Sequence, residues 1–212
     1  MAAGEHGNDL CHRFDAPNDE ASGLLGGTEA GIPATWRFST EVADAWERAL
    51  DEAIVPATRK IALRSAVILS PDRGGIFDTI LTLVRRGVGG SAGDGRQYVS
   101  WIHDVDFIRA IYWLLDRRDL NGAVNLASPN PLPNRDFMAA RRRAWGVSVG
   151  IPDSRWMLEL GALLLRTETE LVLKSRRVVP RRLLDDGFAF TFPDWPDAAR
   201  ELCARWRARS QR

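Results

Sequence analysis

The sequence predicts an α/β protein with parallel strands and a small, mostly helical cap at its C-terminal end. Three observations carry this. Strand-like and helix-like segments alternate through about residue 150, the pattern of repeated βα units. Lys60 to Leu69 (KIALRSAVIL) is mostly apolar and ends at Ser70-Pro71, as expected of a strand inside a parallel sheet. After Pro152 the alternation gives way to helical patterning.

Residues 1–34 lack periodic apolar positions and are rich in Gly, Asp, Asn and Pro, so a loop or disordered leader is expected. Thr35 can cap a helix to about Ala53, with Trp36, Val42, Ala43, Trp46, Ala49 and Leu50 as its apolar stripe. The strand at 60–69 follows. A helix from Ile76 to about Arg86 turns Phe77, Ile80, Leu81 and Val84 inward. After a glycine-dense loop, Gln97 to Ile102 reads as a strand. Asp104 then starts a helix with Val105, Ile108, Ile111, Tyr112 and Leu115 on one face. Ala123 to Ala127 is another strand, and Asn134 can cap a helix carrying Phe137, Met138 and Trp145. These elements define a unit over 35–150 and leave 151–212 as the cap. The cap is expected to hold a helix from Asp153 or Ser154 through Leu165 and a short helix around Pro180 to Asp186. Phe188 to Phe192 alternates like an edge strand, and a last helix opens at Pro196. Arg141 falls on the apolar stripe between Phe137 and Trp145. Its guanidinium must either reach solvent along its stem or meet a carboxylate, because an unpaired buried charge is costly.

Composition excludes several function classes. Of 212 residues, 45% are apolar and 27% charged, ordinary for a globular chain. Lys and Arg number 29 against 28 Asp and Glu, so no net field draws the chain to nucleic acid or to a membrane surface. Two basic clusters, Arg141 to Arg143 and Arg176, Arg177, Arg181 and Arg182, read as solvated helix surface. The start MAAGEHGND has no apolar core segment, and Trp156 to Leu165 is too short to span a bilayer. Cys11 and Cys203 form no disulfide framework and no metal-ligand spacing. A cytoplasmic protein with reduced thiols, no metal, no membrane and no nucleic-acid partner is expected.

The chemically suggestive segment is Gly87 to Asp106, GVGGSAGDGRQYVSWIHDVD. Five glycines in nine positions allow backbone N–H groups to approach a ligand; a flexible connector would read the same way. It is neither a Walker A loop nor a dinucleotide fingerprint, since no Gly-Lys-Ser/Thr follows and it runs from helix to strand. Arg96 and Gln97 at its exit suit carboxylate, phosphate or hydroxyl groups. Trp101 and His103 lie where a strand enters a helix, the end at which open α/β sheets bind ligands. Asp104 is expected to serve as the helix cap rather than in chemistry.

Five pieces in order carry a family resemblance: TWRFSTEVADAWE, RKIALRSAVILSPDRGGIF, GVGGSAGDGRQYVSWIHDVDFIRAI, GAVNLASPNPLPNRDFM and RRVVPRRLLDDGFAFTFPDW. Together they resemble the epimerase-family proteins of the extended short-chain dehydrogenase/reductase group that carry a small C-terminal domain of unknown function. The resemblance runs from about residue 12 to the end. It implies a partial Rossmann-type parallel sheet with a C-terminal cap, NAD or NADP as cofactor, and epimerase or oxidoreductase chemistry on a small-molecule substrate. It implies that Ser65 and Ala66 run beside the nicotinamide; if the chain is the substrate-side half of such an enzyme, Arg96, Gln97, Trp101 and His103, read above from the residues themselves, are expected to line the pocket.

Two features of the group are missing from this chain. No strand with a G-x-G-x-x-G turn precedes residue 35, so the half that holds the pyrophosphate is expected to be absent. The helix that carries a Tyr-x-x-x-Lys pair in the group has Phe38 and Val42 there, and neither Tyr98 nor Tyr112 has a lysine four residues on. No catalytic residue is therefore assigned. Two readings follow: the substrate-side half of a nicotinamide-dependent enzyme, or a non-catalytic remnant or interaction module. A sheet lacking its first strands is expected to self-associate through an exposed edge, the strand at 61–69 being the candidate.

Overall fold

The structure is a computed structural model that describes residues 17–21, 34–148, 150, 175 and 177–210. The apolar segment at 60–69 forms two strands in line, β1 (Ile61–Ser65) and β2 (Val67–Leu69), broken at Ala66. β1 pairs in parallel with β5 (Gly122–Leu126), from Ile61 opposite Gly122 to Ser65 opposite Leu126. β2 pairs in parallel with β4 (Trp101–His103) instead. Ala66 marks the handover: its amide still donates to the Leu126 carbonyl at 2.9 Å, and one residue later the partner is β4. A third ladder joins β3 (Tyr98–Val99) antiparallel to β6 (Leu132–Pro133). The expected α/β class with parallel strands is what the molecule shows.

Helix α1 (Ala34–Glu52) precedes β1 and is fastened to it. The Arg64 guanidinium donates to both Glu47 carboxylate oxygens at 2.7 Å. Lys60 Nζ donates to the Asp51 and Ala53 carbonyls, satisfying groups that a helix end leaves without partners. The expected inward stripe of α1 holds only in part. Val42, Ala43 and Leu50 are half-buried, but Trp46 is 74% exposed and Ala49 also faces out. The Glu47–Arg64 pair sets the helix's rotation, and no described element covers Trp46.

Helix α2 (Ile76–Arg85) buries Phe77, Leu81 and Val84 as its periodicity predicts. Helix α3 (Asp104–Asp116) does not: Asp106, Ala110 and Leu114 face inward, while Ile108, Tyr112 and Leu115 are 53–66% exposed. The buried Asp106 carboxylate fixes this rotation. It accepts the Thr191 and Phe192 amides at 2.8 Å each and Arg109 Nη1 at 3.0 Å. The same bonds explain why 188–192 forms no strand: two of its amides go to a side chain rather than to a ladder. Helix α4 (Asn134–Trp145) ends on Gly146, whose left-handed φ of 86° closes the last turn onto the Arg142 and Arg143 carbonyls. Pro133, not Asn134, holds its N-cap position. Helices α5 (Arg181–Asp185) and α6 (Trp195–Ser210) complete the described elements. The helix expected at 153–165, and Arg176, lie outside the described residues.

Two apolar clusters flank β4, because successive strand residues point to opposite sides. Trp101 enters a cluster with α2, α4 and α6 around Phe77, Leu81, Phe137, Trp195 and Leu202. Ile102 enters a second cluster with Leu114, Val124, Leu126, Leu183 and Phe188. Arg141 is wholly buried in the first. It reaches neither solvent nor a carboxylate among the described residues; its guanidinium lies 4.7 to 5.2 Å from the ring centroids of Phe77, Phe137 and Trp195.

Candidate functional site

The glycine-dense loop is folded onto the start of α4. Asn134 Oδ1 accepts the Ala92 amide at 2.9 Å, Gln97 Nε2 donates to the Ala92 carbonyl at 2.9 Å, and the Arg135 amide donates to the Gly95 carbonyl at 3.0 Å. Gly95 has φ 68°, and a Cβ there would sit 2.8 Å from Arg135 Cβ and 2.9 Å from Ser91 Cβ. At Gly89 a Cβ would meet Val84 at 2.5 Å. These two glycines serve close packing of the loop on its neighbours. Of the loop's exit residues, Arg96 is exposed, while Gln97 is 7% exposed and tied back to the loop.

The junction of β4 and α3 is a closed polar network. His103 is fully buried and stacks on Phe192, with ring centroids 4.0 Å apart. Its Nε2 is 2.8 Å from Glu201 Oε2 on α6, and its Nδ1 is 3.0 Å from Asp104 Oδ1. The Val105 amide reaches both His103 Nδ1 at 3.2 Å and Asp104 Oδ1 at 3.0 Å. The helix-capping role expected of Asp104 thus falls on His103, the residue before the first turn. Arg205 binds Asp104 through two bonds of 2.9 and 2.8 Å. Burial alone would raise the Asp104 carboxyl, but His103 and Arg205 hold it well below the usual carboxylate range. The network fastens the last helix to the sheet. Among the described residues both His103 ring nitrogens are engaged. Trp101, two residues earlier, is fully buried, and its indole Nε1 has no hydrogen-bond partner among the described residues.

Ser65 and Ala66 sit at the carboxyl end of β1, where the sheet forks toward β5 on one course and β4 on the other. Ser65 is exposed, and its hydroxyl donates to the Ala66 carbonyl at 2.9 Å. The outer edge of β5 is closed by side chains. Arg182 Nη1 donates to the Asn121 and Ala123 carbonyls at 2.7 Å each, and Glu20 Oε1 accepts the Asn125 amide at 2.9 Å. Residues 17–21 are drawn into this seam, with the Asn18 amide donating to the Arg177 carbonyl and the Val179 amide to the Asn18 carbonyl. A cavity of about 300 Å³ lies here, lined by Glu20, Ala21, Ala123, Arg181, Arg182 and Asp185. Its charges are spent on one another: Arg181 pairs with Asp19 and Asp185, and Glu20 and Arg182 cap β5.

The four residues expected on the substrate side are therefore not brought to one open cavity among the described residues. Trp101 and His103 share β4 but lie in the interior, Gln97 is folded into the loop, and Arg96 alone projects. Sequence reasoning missed Glu201, Arg205 and Asp106. Of these, only Asp106 left a trace, as a second acid beside the Asp104 start signal. A dinucleotide does not fit the described residues as a whole. The glycine loop's close approaches are filled by Val84, Ser91 and Arg135, so no pyrophosphate cradle is formed among the described residues. No described group of three or more His, Cys, Asp or Glu side chains could hold a metal ion. No described helix is long and apolar enough to cross a membrane.

Comparison with known proteins gives a consistent result. Residues 154–202 match the family model described as a domain of unknown function, DUF1731. The chain is 29% identical over 169 residues to the human epimerase family protein SDR39U1, covering 79% of this chain and 56% of that protein. It is 32% identical over 178 residues to an epimerase family protein of Mycobacterium bovis, covering 82% and 58%. The crystal structure of human SDR39U1 (isoform 2) with NADPH superposes with a TM-score of 0.76 at 27% identity, over 91% of this chain and 61% of that one. A nucleoside-diphosphate sugar epimerase from Corynebacterium glutamicum gives 0.65 at 26% identity, over 97% and 38%. The chain spans less than three fifths of the length of these curated relatives. In sequence and in fold the chain is similar to these epimerase family proteins over part of their length, and it carries a DUF1731 segment of its own.

Proposed function

We propose that the chain supplies the substrate side of an NAD(P)-dependent epimerase or oxidoreductase of this type, with the cofactor's phosphates held by other βα units. Ser65 and Ala66 flank the nicotinamide end. Arg96 and Gln97 approach the substrate from the loop exit, and Trp101 and His103 form the wall behind them. The observation that carries this reading is the fork at Ala66. Ligands of open α/β sheets bind outside the carboxyl ends of strands where neighbouring strands part, and here the β1 peptide leaves β5 for β4 beside an exposed serine. The NADPH in the human relative's crystal structure gives the ligand class.

The test is residue-resolved amide NMR of the chain titrated with millimolar NADPH and NADH. The expected result is a set of perturbations centred on Ser65 and Ala66 and extending to 96–103, with weak affinity and only a small rise in melting temperature by mass action. Perturbations confined elsewhere, or none at millimolar cofactor, would sink the assignment. The second reading, a non-catalytic interaction module, would then stand. One observation favours it: His103 and Gln97 are already engaged in bonds that hold the fold together.

A further inference from the structure

We infer that the interior around Arg141 takes up a small monovalent inorganic anion of the halide class, at a site apart from the strand ends on which the cofactor reading rests. Arg141 is fully buried on α4. Its Nε, Nη1 and Nη2 have no hydrogen-bond partner among the described residues. The guanidinium lies over rings from three helices, with centroids at 4.7 Å for Phe77 of α2, 5.0 Å for Phe137 of α4 and 5.2 Å for Trp195 of α6. Ring faces attract the cation but leave most of its N–H groups, which radiate in the guanidinium plane, without an acceptor. A second donor is stranded in the same cluster. Trp101 is fully buried and meets Trp195 in an edge contact, with ring centroids 5.0 Å apart. Its indole Nε1 has no hydrogen-bond partner among the described residues.

Among the described residues, every side-chain nitrogen or oxygen left without a partner in this cluster is therefore a donor: three from Arg141 and one from Trp101. The Trp195 indole is already engaged, donating to the Phe137 carbonyl at 2.8 Å. The titratable group whose charge would bear on the guanidinium is Cys203 of α6. Burial pushes its thiol up, so at neutral pH it is an uncharged S–H, and it makes no hydrogen bond to Arg141. A water molecule would accept from some of these groups but brings two donors of its own, and the cluster has no spare acceptor for them. Water also leaves the charge uncompensated, and an unpaired interior ion is costly. A halide is an acceptor only, and the positive edges of aromatic rings tolerate it. It supplies both the lone pairs and the negative charge that Arg141 and Trp101 lack. Larger anions are excluded by the closed wall: Phe77 and Trp195 are 0% and 1% exposed.

The experiment melts the full chain and its Arg141→Leu variant while sodium bromide replaces sodium gluconate at constant ionic strength, and locates bromide by anomalous diffraction from crystals of the unsubstituted chain. An anion that binds the folded interior but not the unfolded chain stabilises by mass action. The parent's melting temperature should rise by about 3 °C or more relative to that of Arg141→Leu, so that the leucine variant's advantage in gluconate narrows as bromide is added. Trp101→Phe, which keeps an aromatic ring and removes the indole donor, should show a smaller rise than the parent. The expected map has a bromide peak within hydrogen-bond reach of the Arg141 guanidinium. Melting temperatures of parent and Arg141→Leu that move in parallel overturn the proposal, because the general effect of bromide on an apolar core is common to both. A map with bromide at surface positions only overturns it too, as does one in which a water or a carboxylate of the chain lies against the guanidinium. The diffraction result needs no substituted protein, so it decides the matter even where a variant fails to fold.

Discussion

Asp106 and Arg141 are both fully buried ionisable side chains, one on α3 and one on α4, and the fold treats them in opposite ways. Asp106 accepts three hydrogen bonds, two of them from consecutive amides of a segment with no ladder of its own. Among the described residues Arg141 has no hydrogen-bond partner at Nε, Nη1 or Nη2 and is surrounded by three aromatic rings. Ring faces attract a cation by about 2 kcal/mol when desolvated, well short of the cost of stripping water from an unpaired ion. Burial pushes its guanidinium down to about 9, with Cys203 opposing the shift. Burial in turn pushes the Cys203 thiol up, and Arg141 offsets part of that. A buried charge therefore stabilises here only where the backbone has been arranged to meet it.

The sharpest test of this contrast removes the satisfied charge. Asp106→Ala leaves two buried amides without an acceptor and frees 188–192, and should lower stability by about 3 kcal/mol. A chemical denaturation midpoint close to the parent's would show that the clasp is incidental. Next in size and opposite in sign, Arg141→Leu should raise stability by about 1–2 kcal/mol at pH 7. The pH dependence has a definite sign. The folded-state pKa lies below the unfolded one, so below pH 9 both states are protonated and the penalty is constant. Above it the folded state sheds the proton first, and the advantage of leucine shrinks as pH rises. A melt in which Arg141→Leu gains nothing, or loses, would mean that the aromatic cage compensates the ion fully. The smallest effect is expected at the network joining β4, α3 and α6. Asp104→Asn removes the charge and one of the two acceptors that Arg205 meets, and should cost about 1 kcal/mol at neutral pH. Because the Asp104 carboxyl is depressed in the fold, its contribution is complete above the unfolded value near 4 and is lost as pH falls below it. Parent and variant should converge in strong acid, which paired acid titrations would reveal.

How much of this was legible in the sequence depended on the range of the interaction. The strand at 60–69, α2, the short helix near 181 and the last helix from about 195 follow from local apolar runs and capping signals. The rotation of α3 does not, because it is set by Asp106 meeting amides 85 and 86 residues away. Periodicity chose Ile108, Tyr112 and Leu115 for the inward face, and a distant clasp overruled it. The break at Ala66 was hidden for a similar reason: one apolar run served two different partners. Arg141 was recognisable as misplaced on an apolar stripe, but two of the three rings around it, Phe77 and Trp195, come from other helices. His103 was visible as a group at a strand's end; its partner Glu201, 98 residues on, was not.

The seam at residues 17–21 has a consequence for the order of folding. Its bonds join positions up to 162 residues apart, as between Asp19 and Arg181. Closing so long a loop costs chain entropy before any contact repays it, and contacts of high sequence separation form slowly. The strands and helices between them can assemble from nearer neighbours. The seam should therefore close last, and in native-state hydrogen exchange the amides of Asn18 and Val179 should be among the first to open.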